Sequence, residues 1–190
     1  ALSIIYPGLR GPFVLLDVGA NSHCCHEHLL QFGLMGAIYA ERVLEIPNPR
    51  VALLSNGEEP SKGTALVREA HGLLTGSKLN FIGNVEGVGI PRTAADVVVC
   101  DGFSGNIVLK LSEGVATIVV KLLREELKHS PVSMLGAFLA RSALRRAMTK
   151  VDYAEFGGAL LLGVRGIVII GRGRSNARAV RNALLYAERA

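Results

Sequence analysis

An α/β fold, a parallel sheet covered by helices on both faces, is predicted by three features of the sequence. Short runs rich in Val, Ile and Leu alternate with longer stretches of helical period, the pattern of buried parallel strands and their crossover helices. Each run ends in glycine, asparagine and small polar residues instead of an ordinary short turn. The 190 residues are 49% hydrophobic and 19% charged, which suffices for one sizeable core and excludes disorder as the main state.

In chain order, the first strand is predicted at Phe13–Asp17 and leads into Asp17-Val18-Gly19-Ala20-Asn21. A helix over Glu27–Glu45 follows, with Asn21 or Ser22 as its cap, and Pro47 and Pro49 end it because proline cannot continue the hydrogen-bond ladder. The strand Arg50–Ser55 exits through Ser55-Asn56-Gly57-Glu58-Glu59 to a helix at Thr64–Leu74, at whose start Lys62 can neutralise a phosphate. The strand Leu79–Ile82 ends in Gly83-Asn84-Val85-Glu86-Gly87. The strand Asp96–Cys100 opens through Asp101-Gly102-Phe103-Ser104-Gly105-Asn106 into a helix over Asn106–His129, and Gly166–Ile170 opens through Gly171-Arg172-Gly173-Arg174-Ser175-Asn176 into a helix over Ser175–Arg189. In an open parallel sheet the carboxyl ends of the strands share one edge, so the five loops should meet at one crevice. Glycines there allow close backbone approach and amides that converge on an oxyanion or phosphate, although any single Asp-Gly or Asn-Gly could simply make a turn.

Several function classes drop out. Gly171-Arg-Gly-Arg-Ser-Asn lacks the third glycine of a dinucleotide fingerprint and has no acid at the end of a following strand, and Gly57 to Thr64 lacks the spacing of a Walker sequence. The cluster His23, Cys24, Cys25, His26 and His28 matches no zinc spacing, so no metal is expected and Cys24 is read as a small packed hydrophobe. Three cysteines, two of them adjacent, make no disulfide framework, and Ala1–Gly11 lacks a secretory layout, so a reducing, cytoplasmic setting is expected. The longest apolar stretch, Gly157–Gly171, contains Arg165 and is shorter than the ~20 residues of a bilayer span.

The net charge of +5 is unevenly placed: five cations and no acid lie between Glu126 and Asp152, and six arginines face only Glu188 from Gly163 onward. Such clusters suit phosphate, an acidic protein or an anionic lipid surface. Nucleic acid is not expected, because aromatic residues are only 5% and no nucleic-acid motif accompanies the basic stretches. Residues 131–150, PVSMLGAFLARSALRRAMTK, separate apolar side chains (Met134, Leu135, Phe138, Leu139) from cations (Arg141, Arg145, Arg146) lengthwise. That pattern suits two short helices in a hairpin, placed either at an anionic membrane interface or in a subunit or core contact.

Taken in order, Leu15-Leu16-Asp17-Val18-Gly19-Ala20-Asn21, Asn56-Gly57-Glu58-Glu59 with Lys62-Gly63, Asn80-Phe81-Ile82-Gly83-Asn84-Val85-Glu86-Gly87, Val99-Cys100-Asp101-Gly102-Phe103-Ser104-Gly105-Asn106 and Phe156-Gly157-Gly158 resemble the motifs of the bacterial phosphate acyltransferase (PlsX) family. The resemblance covers nearly the whole chain. It implies transfer of a fatty acyl group from acyl carrier protein to orthophosphate, giving acyl phosphate for phospholipid synthesis, on a fold resembling isocitrate dehydrogenase and phosphotransacetylase and with no cofactor. It further implies a homodimer associated peripherally with the membrane through a helical projection at residues 131–150. Family members are nearly twice as long, which makes residues 1–190 one α/β region corresponding to their carboxyl-terminal part. The sequence departs from the family at His23 and His26, Val88-Gly89, Leu160 and Arg172.

With no Gly-x-Ser-x-Gly elbow, direct attack of phosphate on the thioester is expected without an acyl-enzyme. Lys62, Lys110 and Arg172 are the candidates to bind phosphate. Asn21, Ser104 and Asn106 are candidate donors to the tetrahedral centre, and Glu86 and Asp101 candidate groups to manage protons or orient the cations. Ser104 could equally cap a helix, and the acids could equally be structural. Two other readings stay open: an inactive module that binds carrier protein or membrane, and a phosphotransacetylase-like enzyme acting on coenzyme A thioesters.

Overall fold

The computed structural model describes residues 1–151, 158–171 and 177–188. Among them the strands are β1 (Leu2–Gly8), β2 (Gly11–Leu16), β3 (Arg50–Ser55), β4 (Asn80–Glu86), β5 (Val97–Val99), β6 (Ala159–Leu161) and β7 (Ile169–Ile170). The helices are α1 (His26–Arg42), α2 (Ala65–Thr75), α3 (Gly102–Leu127), α4 (Pro131–Leu139), α5 (Arg141–Val151) and α6 (Ala177–Ala187), with a 3-10 turn at Ile90–Arg92. The strands form one sheet in the order β4-β3-β5-β2-β1-β6-β7.

β2 to β5 are parallel to one another, as the Val/Ile/Leu runs predict. Alternate residues of these strands face opposite sides. Val14 and Leu16, Val51 and Leu53, and Val97 and Val99 pack under α1 and α2 with Leu29, Phe32 and Leu74. Phe13, Leu15, Ala52 and Val98 pack on the other side with Tyr6, Cys100 and Leu109. Both faces of β2, β3 and β5 are covered, which explains why these three strands read as continuous apolar runs, whereas the edge strand β4 stays partly exposed.

The other half of the sheet is antiparallel. β1 pairs with β2 through a two-residue turn between Gly8 and Gly11, and its other edge pairs with β6, where Leu2 lies opposite Leu161. β7 then pairs antiparallel with β6. The sheet is therefore mixed: Pro7 and the flanking glycines hide β1 in the sequence, and β6 and β7 are too short to carry a periodic signal.

Boundaries shift for local reasons. The predicted break at Gly83 is a bulge inside β4: the register steps from Val51–Phe81 to Leu53–Asn84, Gly83 takes φ +100° there, and the strand continues to Glu86. α3 starts at Gly102, one turn before the predicted Asn106, capped by Asp101. The cap of α1 is Cys25, not Asn21 or Ser22, because Asn21 is held elsewhere. The helices predicted in 131–150 are α4, capped by Ser130 with Pro131 in its first turn, and α5, with the break at Ala140.

Candidate active site

The four parallel strands deliver the loops after β2, β5, β3 and β4 to one edge, about 15 Å wide at the usual strand spacing. The fifth loop departs from expectation. β7 runs opposite to β2, so Ile170 and Gly171 lead away from that edge, and residues 172–176, including Arg172, lie outside the described residues, as does Phe156-Gly157.

Asp17 organises the β2 loop. It is fully buried, and its carboxylate accepts five hydrogen bonds: Oδ1 from the amides of Leu2 (3.0 Å), Gly19 (3.0 Å) and Ala20 (2.9 Å), Oδ2 from the amide of Asn21 (2.8 Å) and from its side-chain Nδ2 (2.7 Å). Burial alone would push this carboxyl up, but the hydrogen bonds from Ala20, Leu2, Asn21 and Gly19 outweigh it and hold it below the ordinary value.

The Asp17–Asn21 loop is pressed against the start of α3. Gly102 donates its amide to the Asn21 carbonyl at 2.8 Å, and the Cys100 thiol donates to the Asp17 carbonyl at 3.3 Å. This contact needs two helical glycines. A Cβ on Gly102 would lie 2.6 Å from the Asn21 carbonyl oxygen, and one on Gly105 would collide with the Asp17 carbonyl oxygen and sit 2.7 Å from Cys100 Sγ. Asn106 lies against Gly19 on the far side of the loop, and Lys110 follows one turn later on the same helix face.

The predicted residues fall into distinct settings. Asp101 caps α3: Oδ1 accepts the Ser104 amide (2.9 Å) and Oδ2 the Ser104 hydroxyl (2.7 Å), so that hydroxyl proton is engaged within the cap. Asn106 and Lys110 are exposed. Across the edge, Asn56 accepts the Gly63 amide at 2.8 Å and Asn84 donates to the Glu59 carbonyl at 2.9 Å, which folds the β3 loop back over β4. Lys62 is exposed on that loop with its stem over Gly57, and Glu86 is half-buried at the end of β4 opposite Ser55. Among the described residues neither Lys62 nor Lys110 has a carboxylate within 4.0 Å, so both charges are available to an anion.

Cys24 is half-buried against the core beside α1, and His26 bridges Glu27 (3.0 Å) and Glu69 (2.9 Å). Among the described residues no group of three or more His, Cys, Asp and Glu side chains is placed to hold a metal ion. In the hairpin region α4 has no buried residue: Met134, Leu135, Phe138 and Leu139 are all exposed, and Arg141 stacks over the Phe138 ring at 4.7 Å. No described helix is long and apolar enough to cross a membrane.

Sequence reasoning assigned no role to Asp17 or Gly105. An acid at a strand end followed by Gly-Ala-Asn is the signal for a carboxylate folding back on amides two to four residues on, and a glycine inside a helix signals close packing.

A family model described as "Fatty acid synthesis protein" matches residues 1–190. The chain is 54% identical over 187 residues to a phosphate acyltransferase of Heliobacterium modesticaldum, covering 98% of the chain and 56% of that relative. It is 51% identical over 187 residues to a phosphate acyltransferase of Geotalea uraniireducens, covering 98% and 54%. Thus the chain spans about half the length of the curated relatives it matches. Among solved structures, a phosphotransacetylase from Streptococcus pyogenes matches 61% of the chain and 41% of its own with a TM-score of 0.48 and 21% identity.

Proposed function

Because the chain belongs to the fatty acid synthesis protein family, we propose that it contributes to an enzyme transferring a fatty acyl group from acyl carrier protein to orthophosphate, giving acyl phosphate for phospholipid synthesis. The carrying observation is the Asp17–Asn21 loop seated on the α3 N-terminus, beside Asn106 and Lys110 and on the same sheet edge as Lys62. In this reading a phosphate oxygen attacks the thioester carbonyl, the carbon–sulfur bond breaks and the carrier thiol leaves with the proton. Lys62 and Lys110 hold the phosphate. The Asn21 and Asn106 side-chain amides donate to the oxyanion as it forms, while Ser104, with both its donors on Asp101, holds the α3 cap beside them. Preorganised donors of this kind act on the charge that appears only in the transition state. Glu86 takes up the phosphate proton and passes it to the departing thiol, and Asp101 fixes the start of α3.

The assay is acyl phosphate formation from acyl-acyl carrier protein and orthophosphate, with acyl-coenzyme A as competitor. Product from the carrier-bound donor supports the reading, and product from the coenzyme A donor alone rejects the carrier as substrate. Lys62→Ala is expected to raise KM for orthophosphate about tenfold while leaving KM for the acyl donor within about twofold, the signature of a lost ground-state contact to one substrate. An equal change in both would show that Lys62 does not bind phosphate.

The exposed apolar side chains of α4 beside Arg141 and Arg145 support peripheral contact with an anionic membrane; the homodimer and the cytoplasmic setting enter the proposal from the family resemblance alone. The two features add: buried apolar area, and about 1 kcal/mol per cation near the surface. Leu135→Glu with Phe138→Glu is expected to lower binding to phosphatidylglycerol vesicles at least ~10-fold in a flotation assay, with wild-type binding weakening as salt rises. Unchanged flotation would assign α4 to a protein contact.

A further inference from the structure

We propose that Asp17 is a positioning residue of this site, acting by fixing which way the Asn21 amide points; the assignment to catalysis rests on the acyl-transfer reading above. A carboxylate can only accept hydrogen bonds, so of the two ends of the Asn21 amide only the NH2 end can face Asp17 Oδ2, which it meets at 2.7 Å. The choice that a solvent-exposed asparagine leaves open is thereby settled. One Nδ2 hydrogen is spent on Asp17, and among the described residues the other hydrogen and Oδ1 have no partner, so both remain for a ligand.

The surroundings prevent the pair from relaxing. Four main-chain amides, those of Leu2, Gly19, Ala20 and Asn21, clamp the Asp17 carboxylate. The Asn21 main chain is in turn fixed by the Gly102 amide at 2.8 Å, so neither partner can turn without breaking the loop from α3. A loop that needed only to be tied down would be served by the main-chain bonds. The side-chain bond adds a direction to one amide, at the sheet edge where Asn106 lies against Gly19.

The test has two arms on the full chain. In the first, hydrogen exchange of the Asn21 side-chain amide is followed by NMR, with its signal identified by loss in Asn21→Ala. One Nδ2 proton is expected to exchange at least tenfold more slowly than those of exposed Asn106, and Asp17→Asn is expected to abolish that protection. Exchange at the Asn106 rate in the wild type would overturn the proposal. In the second arm, Asp17→Asn and Asn21→Ala are each expected to lower kcat about 100-fold with KM values within about threefold, and the double variant to lose no more than either alone. Multiplying losses would mean that Asp17 only maintains the fold, and would also overturn the proposal. Should the wild type form no acyl phosphate, the acyl-transfer reading fails and the exchange arm alone decides the Asp17–Asn21 pair. Should Asp17→Asn not fold, the wild-type comparison of Asn21 with Asn106 decides it.

Discussion

Gly105→Ala is expected to destabilise the protein by roughly 3–5 kcal/mol, because the added methyl has nowhere to go. Gly105 lies in the first turns of α3, where the helix crosses the Asp17 carbonyl, and the contacts around it are main chain and a buried thiol instead of flexible side-chain ends. To admit a Cβ, α3 must lift from the β2 loop. That separates Gly102 from Asn21 and draws Leu109, 8% exposed, out of the core. Thermal unfolding followed by circular dichroism should show Tm lower by about 10 °C for a chain of this size. The internal control is Gly114→Ala, two turns further along the same helix. A Cβ there meets nothing within 4 Å, so it should gain up to ~1 kcal/mol from helix propensity and reduced unfolded-state freedom. Equal effects at the two positions would refute the close approach.

Asp17→Ala is expected to cost about 3–5 kcal/mol in urea unfolding, since it removes one carboxylate and strands the donors it had satisfied. The Leu2 amide is the most consequential of these, because it ties the first residue of β1 to the end of β2. The variant should also change how stability responds to acid. The Asp17 carboxyl is held below its ordinary value of 3.8, so its contribution is present above that pH and lost as pH falls through the lower folded-state value. Wild-type stability should therefore fall more steeply with acid below pH 3.8 than that of Asp17→Ala, and parallel curves would contradict the assignment.

What the sequence disclosed depended on whether a feature was local. β2, β3 and β5 are legible because both their faces are buried, which leaves a run of Val, Ile and Leu whatever the neighbours do. β3 matches its sequence expectation at both ends, Arg50–Ser55. β1, β6 and β7 were missed or misplaced because they exist through pairing with distant strands: β6 is three residues long and becomes a strand by lying beside β1. The sequence predicts a loop over Gly102–Gly105 because glycine disfavours helix, yet those glycines are what let α3 start so close to Asn21. The same holds at the site. Strand ends alone place four of the five loops at one edge, whereas the role of Asp17 depends on Leu2, fifteen residues upstream, and on the start of α3, more than eighty residues downstream.

The place of β1 in the sheet also sets an order of events during synthesis. β1 and β2 can form a hairpin as soon as both have left the ribosome, but the Ser3–Leu160 pairing closes a span of 157 residues, so the outer edge of β1 waits until that span has been made. At about 5–20 residues per second that delay is roughly 10–30 s. For that time an apolar strand, with Ile4, Ile5 and Tyr6 at its centre, presents unsatisfied main-chain groups to any other nascent copy, a hazard that grows with expression level and falls when translation and chaperone supply are balanced.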